Sequence, residues 1–313
     1  MWISERLIKI IGKRKITFGK VASDWLYYKR NSIKLSTYSK YSYTINKYLL
    51  PKFKKKTLSK LKNYNFNEYA SELKEELSPK TIRDIICILK AILYYAEEEH
   101  EAIFKKKKMV APKIRAKNIT ILSRKEKRKL EKECLKENSL TALGIILALN
   151  TGLRVGEICA LKWRNIDLEK RTLHVKYTLQ RIYDVEQKKT KIILDTPKTD
   201  TSARSIPISN KLYDLLQPIK SKYDESAFFL TGSPDIYIEP RRLQYIFKDT
   251  LSKNKMRKYK FHILRHTFAT DCIEVGMDVK SLSEILGHSS VDITLNRYVH
   301  SSYKTKKKFL ERL

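Results

Sequence analysis

Six polar residues stand in sequence contexts that the packing of a helix or strand does not explain. They are Arg154 in residues 151–157, Lys198 in a Pro-Lys-Thr turn, His262 and Arg265 three residues apart, His288 after a Leu-Gly pair, and Tyr298 after an arginine. Arginines can form paired, charge-assisted hydrogen bonds with the non-bridging oxygens of a phosphodiester. A tyrosine phenolate can attack phosphorus and later leave. The set is therefore suited to exchanging one phosphate ester for another.

Each residue type has a distinct role in such a reaction. Arg154 and Arg265 would hold the non-bridging oxygens, and His288 would add a further donor, because donors placed in advance are usually the largest catalytic contribution. Tyr298 has an ordinary pKa of about 10 and needs help near neutral pH, which His262 would give by taking or sharing its proton. Lys198 would protonate the departing 5′-oxygen. Cationic side chains stabilise the charge, so no metal, ATP or other cofactor is expected.

Two neighbouring polar residues receive weaker interpretations. His266 is interpreted as a structural histidine that supports its helix, and it stays outside the catalytic set. Glu157, one turn after Arg154, either orients that arginine or is an ordinary acidic residue in the first turn of a helix. A single arginine or lysine is far more often a solvated surface charge. The indication of a site therefore comes from the six residues together.

In this order and spacing, the six residues resemble the signature of the tyrosine recombinase family, the phage integrase type. The family pattern is an arginine, a lysine, a histidine-x-x-arginine, a histidine or tryptophan, and then the nucleophilic tyrosine. The resemblance covers essentially the whole chain. It implies a mainly α protein with a helical, SAM-like core-binding domain and a catalytic domain that cuts and rejoins DNA through a 3′-phosphotyrosyl intermediate. Residues 172–208 are most similar to integrases of phages and conjugative transposons.

The charge of the chain agrees with a nucleic-acid partner. Lysine and arginine number 66 against 34 acidic residues, a net charge of +32, of which +17 lies in residues 1–120 and +15 in residues 121–313. A positive field over both halves favours double-stranded DNA, with general solubility and adhesion to an anionic membrane as alternatives. No apolar run approaches the roughly 18 residues of a membrane span. The four separated cysteines are expected to be reduced core thiols of a cytoplasmic protein.

Helical periodicity predicts a first domain of four helices over residues 17–110, after a basic tail of residues 1–16. Ser36 is the expected N-cap of the second helix and Pro51 its end. Asn65 and Glu68 have capping-box spacing, and Ser78-Pro79 opens a long helix. The apolar stripe of that helix is expected at positions 82, 85, 86, 89, 92, 93 and 96. Residues 111–120, which include Pro112, are the expected linker.

The second domain, residues 121–313, is predicted to be mixed α/β. A capping box of Ser123 and Glu126 opens it, followed by a buried helix over residues 142–150. Alternating, β-branched segments predict a small three-stranded antiparallel sheet from residues 172–179, 191–194 and 204–208. Helices are predicted from residue 211 and over residues 240–252, 262–275, 280–286 and 291–298. A last amphipathic helix from residue 304 to the end would be an exchange helix that docks onto an adjacent protomer.

Three functions remain open at this point. The first is a site-specific recombinase that integrates and excises a mobile element as a homotetramer on two DNA sites, with room for an accessory DNA-bending or directionality factor. An Xer-type chromosome resolvase or a type IB topoisomerase is the second, and a non-catalytic DNA-binding regulator is the third. The first predicts a bacterial, nucleoid-associated cytoplasmic enzyme.

Overall fold

The computed structural model describes residues 16–100, 104, 109–113, 119–184, 187–196, 203–298 and 311. The chain divides into two compact units, the first comprising residues 1–117 with 182–191 and the second residues 118–181 with 192–313. Four sequence-based predictions lie wholly or largely outside the described residues: the basic tail, half of the linker (residues 114–118), the turn with Lys198, and the last helix from residue 304.

The first unit is helical. Its elements are α1 (Phe18–Lys29), α2 (Leu35–Thr44), a π-helical segment (Ile45–Leu49), α3 (Leu50–Phe53), α4 (Leu58–Leu61), α5 (Phe66–Glu72) and α6 (Pro79–His100). All seven apolar positions predicted for the stripe of α6 are buried. Cys87 was expected in the core, but it is exposed, because it lies on the solvent side of α6. No helix in the described part of the chain is both long enough and apolar enough to cross a membrane.

Two predicted helix boundaries and one predicted capping box in the first unit are wrong. α2 begins at Leu35, so Lys34 and not Ser36 is its N-cap. Pro51 does not end the helical run, because it lies in the first turn of α3, where a residue needs no intrahelical N–H bond. Asn65 is the N-cap of α5 but its side chain caps no backbone group, so the capping box with Glu68 does not form.

The second unit begins with α7 (Arg124–Glu137) and the buried α8 (Leu140–Thr151). The predicted capping box is confirmed, since the Ser123 backbone N–H donates to Glu126 at 2.9 Å and the Ser123 hydroxyl accepts from the Glu126 N–H. The short α9 (Val155–Cys159) and a 3₁₀ turn (Trp163–Asn165) follow. A core of apolar side chains surrounds α8.

A three-stranded antiparallel sheet is present, but its membership differs from the prediction. Its order is β1 (Ile166–Asp167), β2 (Thr172–Val175) and β5 (Arg204–Pro207). The predicted strand 172–179 is interrupted at residues 176 and 177, and β3 (Thr178–Asp184) pairs instead with β4 (Lys189–Asp195) in a separate two-stranded sheet. The two residues of β1 are too few to show an alternating pattern, so the sequence could not predict them.

The helices that follow the sheet lie close to their predicted positions. They are α10 (Asn210–Lys220), α11 (Pro240–Lys253), α12 (Ile263–Glu274), α13 (Val279–Leu286) and α14 (Val291–Tyr298). α8 ends at Gly152 and α13 at Gly287, and both glycines have left-handed backbone conformations, with φ of +68° and +62°. Helices that end this way turn sharply and leave carbonyl groups free to accept other donors. Those two ends lie at the candidate site.

Candidate functional site

Five of the six predicted site residues lie at or near the ends of helices in the second unit. Arg154 is the N-cap of α9, His262 is the N-cap of α12, and Arg265 lies in the first turn of α12. His288 directly follows the C-cap of α13, and Tyr298 ends α14. The contacts described below link these residues into one cluster. Lys198 lies outside the described residues.

The C-terminal end of α13 binds three arginines. Arg204 donates through Nε to the carbonyl of Ile285 at 2.5 Å. Arg265 donates through Nη2 to the carbonyl of Leu286 at 2.8 Å, and Arg154 through Nη2 to that of Gly287 at 3.0 Å. The last carbonyls of a helix lack intrahelical partners and carry the negative end of its dipole, so they suit cationic donors.

Glu157 joins two of these arginines. Its side chain is only 3% exposed and lies 2.7 Å from Arg154 Nη1 and 2.9 Å from Arg204 Nη2. It also accepts the backbone N–H of Arg154 at 2.8 Å. Burial by itself would raise the pKa of this carboxyl, but the charges of Arg204 and Arg154 and their hydrogen bonds lower the pKa to about 2. These contacts favour the interpretation that Glu157 orients Arg154.

Arg265 is the most deeply buried of the arginines, with 2% of its surface exposed. Its Nη1 donates to the carbonyl of Gly152 at 2.9 Å, so the ends of α8 and α13 hold the guanidinium between them. Burial, followed by the charge of Arg154, lowers its pKa to about 9, which still leaves the group cationic at neutral pH. A Cβ on Gly152 would lie 2.6 Å from Phe268, so only glycine fits at this end of α8.

Tyr298 is 5% exposed and packs in an apolar cluster with residues of α12 and α13. Its Oη lies 2.9 Å from Nδ1 of His266, within hydrogen-bond distance. Burial raises the pKa of the phenol, while Arg265 and Arg297 act in the opposite direction through their charges and hydrogen bonds. The histidine in contact with Tyr298 is therefore the one that the sequence-based interpretation left outside the catalytic set.

His262 lies next to His266, and its ring centroid is 4.5 Å from that of His266 in an edge-to-face arrangement. It lies at the start of α12, with part of its side chain exposed and its ring packed against that of His266. A sequence signal for His266 existed, since residues four apart share a helix face and His266 follows His262 by four. Spacing alone could not distinguish which of the two rings faces the tyrosine.

The histidines of the site are neutral near pH 7. Burial and then the surrounding positive charges lower the pKa of His262 and of His266 to about 4, and that of His288 to about 3. His288 lies 2.7 Å through Nδ1 from the Thr294 hydroxyl, and its ring is parallel to that of Tyr298 at 6.4 Å. A neutral imidazole has one donor and one acceptor nitrogen, so each ring can still bind or transfer a proton.

Arg204 is a further residue of the cluster that the sequence did not single out. It was named as the first residue of a predicted strand and within the segment 203–207 that resembles integrases, but with no role in the site, and its side chain is 5% exposed. An arginine at the start of a strand gives no signal of burial, because its partners Glu157 and Ile285 are distant along the chain.

Together these contacts describe a cationic site around a buried tyrosine. Three arginines surround a helix end, two of them bound to the carboxylate of Glu157, and three neutral histidines lie nearby. Among the described residues of the cluster, Glu157 is the carboxylate that offsets part of the charge. Such a site suits an anionic phosphate that is attacked by Tyr298.

Comparison with family models identifies two matches. The model of the phage integrase family matches residues 120–305, and that of the phage integrase N-terminal SAM-like domain matches residues 17–74. Together they account for most of both units.

Individual relatives are consistent with these matches. A protein named "Tyrosine recombinase XerC-like" from Caldanaerobacter subterraneus subsp. tengcongensis is 32% identical over 95% of this chain and 83% of its own length. The ICEBs1 integrase of Bacillus subtilis is 28% identical over 96% of this chain and 83% of its own. Among solved structures, the Tn1549 transposon integrase in complex with circular intermediate DNA has a TM-score of 0.76 at 23% identity, covering 95% of this chain and 99% of that one.

Proposed function

The chain belongs to the phage integrase family of tyrosine recombinases, which break and rejoin DNA, and from this premise we propose that Tyr298 forms the covalent bond to DNA. The reaction is integration and excision of a mobile element at specific sites. The observation that carries this proposal is the buried Tyr298, 2.9 Å from His266 and beside the arginines bound to the end of α13.

The arginines of the site bind the phosphate. Arg154 is 37% exposed, so its guanidinium can meet DNA while Glu157 and the Gly287 carbonyl hold it from behind. Arg265 holds a second non-bridging oxygen, and His288 adds a donor. As the pentavalent transition state gathers negative charge on these oxygens, the fixed donors stabilise it more than the ground state.

Proton transfer accompanies attack by Tyr298. As the bond from Oη to phosphorus forms, the phenolic proton passes to Nδ1 of His266, which is neutral and within reach. His262, beside it, serves the proton relay or donates to the phosphate. The bond from phosphorus to the 5′-oxygen breaks, and Lys198 protonates that oxygen. This assignment of Lys198 comes from the sequence.

Partners and assembly follow from the reaction. The Tn1549 integrase was solved with DNA, and the charge of +32 fits the same partner here. Exchange between two duplexes needs four active sites, so the active assembly is a homotetramer on two DNA sites, with the last helix joining neighbours and an accessory factor setting direction. Such an enzyme works at the bacterial nucleoid, in the cytoplasm. The core-binding domain spans residues 17–110, the linker residues 111–120 and the catalytic domain residues 121–313.

A second candidate function is chromosome resolution of the Xer type, which the XerC-like relative favours. The two functions differ in the DNA site that is used. Direct repeats flanking the gene would identify an attachment site, and a two-site strand-exchange assay on that site would support integration. Relaxation of supercoils without exchange would instead favour topoisomerase activity.

Replacing the nucleophile tests the proposal directly. Tyr298→Phe should bind attachment-site DNA as the wild type does and form no covalent complex on a denaturing gel, because the phenyl ring has no oxygen to attack phosphorus. Tyr303→Phe, which changes the next tyrosine along the chain, is the matched control and should retain the complex. A covalent complex in the Tyr298→Phe protein would overturn the assignment.

A further inference from the structure

Arg204 has a buried side chain that binds two residues next to the phosphate-binding arginines, Glu157 and Ile285. Its Nη1 and Nη2 donate to the two carboxylate oxygens of Glu157 at 3.1 and 2.9 Å, and its Nε donates to the Ile285 carbonyl at 2.5 Å. A buried guanidinium is tolerated only where its donors find partners. This planar, three-bond arrangement is one that arginine can make and lysine cannot.

Burial separates Arg204 from Arg154, although both bind Glu157. The Arg204 side chain is 5% exposed and that of Arg154 is 37% exposed. DNA can therefore reach Arg154. Arg204 lies against the end of α13, with all three of its side-chain nitrogens bound to Glu157 and Ile285. Arg265 is equally buried, but it interacts with Tyr298 and so lies at the reacting group. The packing there is close, because a Cβ on Gly287 would lie 3.0 Å from Arg204 Nη1.

Arg204 also changes the net charge of the network that it forms with Glu157 and Arg154. Glu157 faces two guanidinium groups, so its negative charge is shared and the three-residue network keeps a net positive charge. Without Arg204, the buried carboxylate would have Arg154 as its one remaining arginine partner. The negative charge that the two arginines share would then fall on Arg154 alone and offset the charge that Arg154 presents to DNA.

We propose that Arg204 is a positioning residue of the recombination reaction, which fixes Arg154 and the end of α13 through Glu157 and the Ile285 carbonyl without touching DNA itself. This inference rests on the proposed function, since it assumes that Arg154 binds the scissile phosphate. It adds to the site a residue that acts through its neighbours.

The test compares two versions of one substrate. A nicked duplex with the attachment core site would carry either the ordinary scissile phosphate or a methylphosphonate, which lacks one non-bridging negative charge. Arg204→Gln should slow formation of the covalent complex by about 10²-fold on the ordinary phosphate, the order of loss seen when a transition-state donor is misplaced. On the methylphosphonate, where the charge of Arg154 matters less, the same variant should stay within about threefold of the wild type.

Arg154→Gln should show the same selective rescue, and the double variant should be no slower than Arg154→Gln alone, because both changes remove one function. Arg171→Gln is the matched control, since Arg171 stacks on Tyr213 at the opposite end of the sheet and should cleave both substrates normally. If Arg204→Gln unfolds, as judged by thermal melting, Arg204→Lys takes its place under the same criteria.

Equal loss on both substrates for the Arg204 variant, with selective rescue of Arg154→Gln, would overturn the positioning role. Additive losses in the double variant would also overturn it. Failure of the wild type to form any covalent complex would instead overturn the proposed function and, with it, this inference.

Discussion

At the scale of single residues, the proposed activation of Tyr298 depends on its contact with His266. The phenol is buried and its pKa is raised, so at neutral pH it keeps its proton until a base accepts it. His266 is neutral and in contact with Oη, whereas His262 contacts the ring of His266. The geometry therefore assigns the two histidines to different steps.

The two histidines should differ when each is replaced. His266→Gln should slow formation of the covalent complex by about 10²-fold or more, because loss of a general base typically costs that much. His262→Gln should have a smaller effect on that step. Single-turnover cleavage of the attachment site measures both. His174→Gln, which changes a half-buried histidine on β2, is the control and should cleave normally. A larger loss for His262→Gln than for His266→Gln would contradict the assignment.

The lowered histidine pKa values also predict how stability depends on pH. In the unfolded chain these rings bind protons below about pH 6.5, whereas His288 in the folded chain stays neutral until about pH 3. The unfolded state therefore binds more protons between these values, and the free energy of unfolding should fall as pH falls from 6.5 toward 3. Glu157, with its pKa lowered to about 2, adds to this loss below about pH 4.5.

Urea unfolding at a series of pH values measures how steeply the free energy of unfolding changes with pH. His288→Asn should remove up to one proton from the pH dependence of unfolding between pH 4 and 6.5. A slope that is the same in the His288 variant and the wild type would show that His288 is not held neutral by the fold.

At the scale of elements, the C-terminal end of α13 is the part of the structure on which the arginines depend. Three successive carbonyls, from residues 285 to 287, accept from three different arginines. The helix dipole and the unpaired carbonyls both attract cationic side chains to this end. A short helix of eight residues, Val279–Leu286, therefore positions a cationic site. The left-handed Gly287 that ends it lies against Arg204.

Gly287→Ala should therefore affect activity as well as stability. The left-handed conformation costs an alanine about 1–2 kcal/mol, and the new Cβ would press on Arg204 at 3.0 Å. Gly276→Ala is a matched control, because Gly276 also has a positive φ, +94°, but a Cβ there meets no atom within 4 Å. Thermal unfolding should show a loss in both variants, and cleavage should fall only in Gly287→Ala. Equal cleavage by the two variants would argue against coupling between this turn and the site.

At the scale of the whole molecule, recombination requires that several protomers act on two duplexes. The last helix, predicted from residue 304 onward, lies outside the described residues and remains a prediction. Its apolar positions Phe309, Leu310 and Leu313 recur at helical spacing and need a partner. A helix donated to the next protomer would join neighbours in a closed ring.

Truncation after Ser302 tests this assembly. The shortened protein should cleave a single site nearly as well as the full chain, because Tyr298 and its arginines are retained, but it should lose synapsis and strand exchange. Native gels with two-site DNA would measure tetramer formation. Phe309→Ser with Leu310→Ser in the full-length chain should have the same effect, whereas Lys307→Ser with Lys308→Ser, away from the apolar face of the predicted helix, should not. Tetramers and recombination by the truncated protein would exclude a helix that packs in trans.

The sequence by itself identified the family and predicted most of the helices around the site. The order and spacing of Arg154, His262, Arg265 and Tyr298 indicated the family, because these residues belong to short motifs that can be recognised without a fold. Helix α6 and its buried stripe followed from periodicity, which is local along the chain. Cys87 was the exception, because it was predicted to lie in the core but is exposed. Neighbouring residues of a helix lie on different faces, so an error of one position moves a side chain from the core to solvent.

The tertiary structure decided which partners these residues have. Glu157 and Arg204 are 47 residues apart, and Arg265 reaches Gly152 across 113 residues, so no local pattern encodes these contacts. The choice of His266 over His262 depends on how α12 is rotated against α14, and the pairing of β2 with β5 depends on packing against the core. Each of these outcomes is set by the sum of many long-range contacts, whereas a motif records only the type and order of its residues.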